Sequence, residues 1–431
     1  MTNINEKKLI GKCGDLYMVA AYPLDEEQEE YTMVDYAYVV DKNGKQLTEV
    51  STIDFLLRTG DDLEWEKPTE SYEDVFGSQN KNAIKDGLIG FAVGDALGVP
   101  VEFMTKEEVR KVNVTNMMGH DTDMQFKSRW SELIPAGSWS DDTSMILATM
   151  DSITENNGVI DYDNFMKNYI DWVNHAKFSS LPFSFGLGNT VYEALKRHAM
   201  GKSALESGGK GIRDNGNGSL MRIFPISMYC IEHEFTEEET AQLISEASQI
   251  THGHDISKMS CFIYTEFLRN LLETKNPHLS HSRLTRIDYS KYFSQEAIDA
   301  HKKVLNPSFE KLPDEQINGS GYVVDTLECS LYSLLNSENY EQAVTKAINT
   351  GYDTDTIAGI TGSLAGVLYG SESIPERWVE PLRKRETLEF MAEQYKQTLD
   401  DSKKKVETIN SMLAEQEKQD NDLVSVKTTI S

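Results

Sequence analysis

Two acidic runs offer the plainest chemistry in this sequence. One is Asp353-Thr354-Asp355-Thr356, within NTGYDTDTIAG, and the other is Ser140-Asp141-Asp142-Thr143, within GSWSDDTSM. A further acid, Glu102, stands in GVPVEF. Taken alone, each run reads as a helix cap, because Asp, Ser and Thr accept bonds from the free N–H groups of a first turn. One cap needs one oxygen, whereas each run supplies two carboxylates and flanking hydroxyls. If the runs converge, their aspartates cannot all stay ionised unless cations lie among them. Carboxylate and hydroxyl oxygens are hard ligands suited to Mg²⁺, Mn²⁺ or Ca²⁺, and four aspartates balance two divalent ions. The residue types therefore predict a two-metal carboxylate site.

Such a site needs elements that bring distant loops to one point. Gly87, Gly90, Gly94 and Gly98 recur at steps of three, four and four, and Gly359, Gly362, Gly366 and Gly370 repeat those steps. On a helix each set makes a bare stripe along one face. An interior glycine costs about 1 kcal/mol relative to alanine, so the stripes predict two helices packed closely enough to offset that cost. Glu102 lies just beyond the first stripe, and Asp353 and Asp355 just before the second.

From Asn82 onward the apolar periodicity is helical, as in YDNFMKNYIDWVNHA, NTVYEALKRHAM, TEEETAQLISEASQI and YEQAVTKAI. Thr236 and Glu239 have capping-box spacing, and SALESGGKGIRDNGNGS reads as a loop. The expected fold is mainly α: a compact all-α domain over 81–383, preceded by a small β-rich extension over 1–80. Residues 384–431 read as one exposed amphipathic helix with a polar tail, its apolar stripe being Leu388, Met391, Tyr395 and Leu399. In the extension, DLYMVAAY and VDYAYVVDKNGKQLTEV are rich in Tyr and Val, and Asn43-Gly44 signals a hairpin. STIDFLLR is expected to add a short helix, and the stretch from Glu66 to Asn80 reads as a polar linker.

Charge and cysteines narrow the function classes. The 431 residues hold 42 Lys+Arg against 70 Asp+Glu, a formal net charge of -28. So acidic a surface repels nucleic acid and anionic membrane, so neither is expected as a partner. Cys13, Cys230, Cys261 and Cys329 form no CxxC pair, which argues for reduced thiols and against a zinc or redox motif. The N-terminus lacks a signal-peptide core, and the longest apolar run, GLIGFAVGDALGVPVEF, is interrupted by Asp95. A soluble cytoplasmic protein is expected.

Five segments, GLIGFAVGDALGVPVEF, WSDDTSM, NGNGSLMRIFPI, SQITHGHDIS and TGYDTDTIAG, occur in that order over about residues 82–375. Together they resemble the ADP-ribosylglycohydrolases. The resemblance implies a compact all-α domain with two Mg²⁺ or Mn²⁺ ions as cofactors. It implies Ser140, Asp141 and Asp142 as one ligand group and Asp353, Asp355 and Thr356 as the other. Glu102 matches an acid close to the metals, expected to position or deprotonate the attacking water. Asn217, Gly218 and Ser219 match a loop that contacts the phosphates or ribose of ADP-ribose, and His252 and His254 fall in a T-H-x-H segment near the substrate. Where arginine-directed bacterial members carry FDIGNT, this chain has FGLGNT, with Gly186 in the aspartate's place and Asn189 and Thr190 retained. Trp139 and Phe126 are candidates for stacking on adenine. The expected reaction is hydrolysis of the glycosidic bond between ribose and a protein side chain, with arginine the first choice of linkage.

Two other readings are open. Residues 1–80 hold 18 acidic and 7 basic residues, a net of -11 by subtraction. By resemblance to immunity proteins of this family, such an extension could plug an ADP-ribosyltransferase toxin. Alternatively, the same metals could serve a phosphatase or nucleotide hydrolase. The DxDxT pattern of haloacid-type phosphatases is missed, since Thr356 falls one place early.

Overall fold

The computed structural model describes residues 9–13, 16–21, 36–41, 47, 51–52, 66 and 82–429, apart from 123–125 and 131. The chain divides into two units, Met1–Lys81 with Asn270–Ser280, and Asn82–Arg269 with His281–Ser431. The short Asn270–Ser280 segment is thus grouped with the extension, which the sequence did not indicate.

In the first unit, β1 (Leu9–Cys13), β2 (Leu16–Ala21), β3 (Tyr36–Asp41) and β4 (Ser51–Thr52) form an antiparallel sheet in that order. Tyr, Val and Leu favour a pleated, half-buried surface, and Met18 and Val19 are buried. Lys12 and Glu66 exchange backbone hydrogen bonds of 2.9 and 2.8 Å, so Glu66 belongs to extended structure rather than to a free linker. The first two residues of STIDFLLR, Ser51 and Thr52, are strand rather than the expected helix, and the rest of that segment and the Asn43-Gly44 turn lie outside the described residues.

The second unit is helical, with no β-strand among its described residues. The expected helices form over Tyr162–His175, Asn189–Ala199, Glu237–Gln249 and Tyr340–Ile348. The Thr236/Glu239 capping box closes reciprocally, satisfying two otherwise free donors. The expected loop after Met200 contains the short helix Ala204–Ser207 and two 3₁₀ turns.

The two glycine stripes face each other. The helices Ala83–Gly98 and Thr354–Tyr369 run antiparallel, because Gly90 abuts Gly362 and Gly366, Gly94 abuts Ala358 and Gly359, and Gly98 abuts Thr354 and Asp355. A Cβ at Gly90, Gly94 or Gly98 would strike a backbone carbonyl of the partner helix. The Thr354 hydroxyl donates to the Gly98 carbonyl at 2.8 Å, and the Tyr340 hydroxyl donates to the Gly90 carbonyl at 2.6 Å. Gly370 departs from the expected stripe. It lies past the helix end with φ of 82°, where its conformational freedom stops the helix. The pairing sets the C-terminal end of the first glycine helix against the N-terminal end of the second.

A single helix, Arg385–Thr429, ends the described chain. Its first half is not the exposed appendage the sequence suggested. Leu388, Ala392, Tyr395 and Leu399 are buried, and the helix packs on Ala83–Gly98 and Asp141–Glu155. The Tyr395 hydroxyl donates to the Pro225 carbonyl at 2.7 Å. Met391 is only partly buried, and Ala392 takes its place in the stripe. Among the described residues no single helix is long and apolar enough to cross a membrane.

Candidate active site

The two acidic runs and Glu102 converge where the glycine helices meet. Gly98 ends the first helix, and a 3₁₀ turn over Val99–Val101 leads directly to Glu102. Asp353 is the N-cap of the second helix and Asp355 lies in its first turn. One carboxylate oxygen from each of Glu102, Asp353 and Asp355 lies within 4.8 Å of the others. The Asp141–Glu155 helix adds its N-terminus, with Ser140 as N-cap accepting from the Asp142 N–H at 3.2 Å. The positive ends of two helix dipoles therefore meet the acids.

Asp95 holds this arrangement from behind. It is fully buried inside the first glycine helix, where the sequence reading saw only an interruption of an apolar run. Its carboxylate accepts from the Ser140 N–H at 3.0 and 3.1 Å, from the Thr143 N–H at 3.2 Å and from the Thr143 hydroxyl at 2.6 Å. On the other side, the Asn217 amide donates to Asp353 Oδ2 at 2.9 Å. Trp130 Nε1–H donates to Glu102 Oε2.

The electrostatics favour either protons or a cation among these acids. Burial raises every carboxyl here above its ordinary value, and the charges of neighbouring acids add to it at Glu102, Asp141, Asp142 and Asp355. Glu102 is pushed up to about 8 by burial, with the charges of Asp353 and Asp141 adding to it against the Trp130 bond. Asp141 also rises to about 8, by burial and then by Asp95. Asp95 reaches only about 6, because its four hydrogen bonds oppose the burial. Asp142, Asp353 and Asp355 are raised as well, chiefly by burial. Asp142 Oδ2 is buried with no hydrogen-bond partner, although Thr356 faces that carboxylate. An all-oxygen donor set with one orphaned carboxylate oxygen fits Mg²⁺ or Mn²⁺.

The remaining expected residues lie around this cluster in different ways. Asn217 and Gly218 sit on a loop paired to the chain beside Tyr322, the Asn217 N–H donating to the Gly321 carbonyl at 3.1 Å. Gly321 itself lies against Asp353 Oδ2. The Ser219 hydroxyl is turned into the core, 3.0 Å from the Ser248 hydroxyl, so the loop can offer a ligand only its backbone there. His252 is buried beneath Gly218, where a Cβ would come within 2.8 Å of its ring. Burial and then Arg222 lower the His252 pKa to about 3, so the ring is neutral. His254 Nε2 lies 3.9 Å from Glu296, and its Nδ1 accepts from the Ile256 N–H at 3.3 Å. Asn189 is exposed at its helix start, and Val191 two residues on packs against Gly218. Trp139 is wholly buried, which removes it as an adenine platform, while Phe126 is partly exposed. Gly186, with φ of 91°, packs on Asp141, whose Oδ1 occupies the space a side chain there would need.

The glycine-packed helices thus form a scaffold that gathers carboxylates from separate parts of the chain at one point. Residues 78–405 match the model of the ADP-ribosylglycohydrolase family, and the chain belongs to it. It is a hydrolase of glycosidic ADP-ribose linkages. It is 29% identical over 323 residues to the ADP-ribosylarginine hydrolase Tri1 of Serratia proteamaculans, covering 74% of this chain and 80% of that one. It is 27% identical over 295 residues to the ADP-ribosyl-[dinitrogen reductase] glycohydrolase of Rhodospirillum rubrum, covering 68% and 88%. A solved ADP-ribosylglycohydrolase-related protein complex has a TM-score of 0.59 at 26% identity, covering 74% of this chain and 98% of that one.

Proposed function

We propose that this chain removes ADP-ribose from arginine side chains of modified proteins, by hydrolysing the bond from ribose C1″ to the guanidinium with two Mg²⁺ or Mn²⁺ ions bound. The observation that carries the reading is the convergence of Glu102, Asp353 and Asp355 beside the Asp141–Asp142 helix start. The names of the relatives from Serratia proteamaculans and Rhodospirillum rubrum support it.

Ser140, Asp141 and Asp142 would hold one side of the metal pair, and Asp353, Asp355 and Thr356 the other. Bound there, the ions supply Lewis-acid charge that offsets the crowded carboxylates and fixes the ribose hydroxyls. Glu102 has one oxygen tied to Trp130, which leaves Oε1 to take a proton from the attacking water. The Asn217 amide fixes Asp353 through Oδ2. The nearby carboxylates stabilise the positive charge that develops on the ribose as the glycosidic bond breaks. Asn189 and the Asn217–Gly218 loop would meet the rest of ADP-ribose, with neutral His252 supporting that loop from below.

The test is a panel of arginine-, serine- and cysteine-linked ADP-ribosyl peptides, each incubated with and without Mg²⁺ while released ADP-ribose is measured. Mg²⁺-dependent release from the arginine-linked peptide is expected, and Glu102→Gln should cut kcat by about 100-fold or more with Mg²⁺ still bound. Full turnover by Glu102→Gln would remove that residue's role. Phosphate release from nucleotides without any ADP-ribose release would replace the reading with a phosphatase.

A further inference from the structure

Two exposed aromatic residues border the acid cluster in a backbone conformation that side chains rarely adopt. Phe103 follows Glu102 with φ of 66°, and Tyr352 precedes Asp353 with φ of 62°. They are 55% and 46% exposed, so burial does not account for the strain. The two segments clamp each other instead. The Phe103 N–H donates to the Tyr352 carbonyl at 2.6 Å, and the Tyr352 N–H donates to the Met104 carbonyl at 2.7 Å. Left-handed non-glycine residues persist where their surroundings over-determine them, and such strain clusters at ligand sites.

The second ring beside Glu102 is Trp130. It is buried in a cluster with Val99, Ile134, Leu181 and Phe185, and it is edge-on to Phe185 at 5.2 Å. Its indole N–H is committed to Glu102. One guanidinium already reaches both rings. The Arg129 Cζ is 5.0 Å from the Phe103 ring centre and 4.7 Å from the Trp130 ring centre. Among the described residues Arg129 makes no ion pair, and its charge reaches Glu102. A planar guanidinium stacks on aromatic faces better than any other cationic side chain.

We propose that the Phe103 and Trp130 rings beside Glu102 form the subsite for the acceptor guanidinium of an ADP-ribosylated arginine, and that Arg129 occupies it as an internal stand-in until substrate displaces it. This deepens the reading given above and rests on it. Glu102 would then lie beside the bond from the guanidinium nitrogen to the ribose carbon, which is the bond that is cut. The leaving group would be read by two rings and a carboxylate rather than by a residue at position 186.

The probe is agmatine, titrated calorimetrically into the full-length Mg²⁺-loaded protein. Phe103→Leu should weaken agmatine about fivefold, the scale of an exposed cation–π contact. Phe103→Tyr should restore it, which excludes misfolding as the cause. Arg129→Ala should tighten agmatine about threefold or more, because no stand-in has to leave. KM for the arginine-linked peptide should follow the same order. Unchanged agmatine affinity in Phe103→Leu, or weaker binding in Arg129→Ala, overturns the subsite. A wild-type chain that cleaves no arginine linkage overturns the functional reading instead, and the agmatine titrations still decide for or against the subsite.

Discussion

Asp95 shows how one residue can matter to a site it does not enter. All of its hydrogen-bonding capacity is directed at the start of the Asp141 helix, where it takes the Ser140 and Thr143 donors. Replacement by alanine leaves those buried donors unpaired and frees the turn that carries Asp141 and Asp142. Asp95→Ala should cost about 2–4 kcal/mol of stability, from several lost charge-assisted bonds. It should also weaken Mg²⁺ about 10–100-fold, as loss of a residue supporting metal ligands does. Denaturant unfolding and Mg²⁺ calorimetry measure the two, and an unchanged Mg²⁺ affinity would mean that Asp95 serves the fold alone. The acidic runs at residues 140–143 and 353–356 were legible in the sequence because helix-start chemistry is local. Asp95 was not, because its partners lie 45 and 48 residues away and a buried acid in an apolar run has no spacing signal. The Asn217–Asp353 link, 136 residues apart, was hidden in the same way, although the resemblance had put both residues near the substrate.

At the scale of elements, the site is a consequence of how closely two helices approach. The glycine steps were readable, since helical period is a local property, and the repetition of the steps suggested the pairing. The apolar stripe of the last helix was readable too, but a stripe says only that a face is covered, not by what. That is why the partners of Leu388, Tyr395 and Leu399 needed the structure. Gly94 tests the helix pair. A Cβ there meets the Ala358 carbonyl, which is helix backbone and cannot turn aside. Gly94→Ala should therefore destabilise by about 1–3 kcal/mol, the usual cost of overpacking, and not stabilise as it would in an exposed helix. Activity should fall with it, because parting the helices moves Glu102 away from Asp355. Gly188→Ala is the comparison, since a Cβ there meets nothing within 4 Å and φ is -76°. Its melting temperature should stay close to that of the unaltered protein, and equal losses in the two variants would refute the packing account.

For the molecule as a whole, two sets of buried groups titrate against each other. His301 and His252 are buried, and burial lowers their pKa values to about 4 and about 3. In the unfolded chain they return to about 6.5. Between pH 6.5 and 4 the unfolded state therefore binds protons that the folded state refuses, and stability falls with acid by up to about 1.4 kcal/mol per pH unit per histidine. The acid cluster acts in the opposite sense when metal is absent. Glu102 and Asp141, raised to about 8, keep protons in the fold that the unfolded chain has released above about pH 4. Their contribution is present at low pH and is lost as pH climbs toward 8. Divalent ions reverse this upper limb, because they replace the protons and bind only the folded arrangement. Mg²⁺ should thus raise the melting temperature more at pH 8 than at pH 6. His301→Gln, at a ring bonded to Ala297 and Ser260 rather than to any of these acids, should flatten only the acid limb and leave the Mg²⁺ response alone. Melting curves at pH 5, 6, 7 and 8, with Mg²⁺ and with chelator, separate the two effects. A Mg²⁺ shift as large at pH 6 as at pH 8 would show that the carboxylates are already ionised without metal, and that crowding alone does not call the ions in.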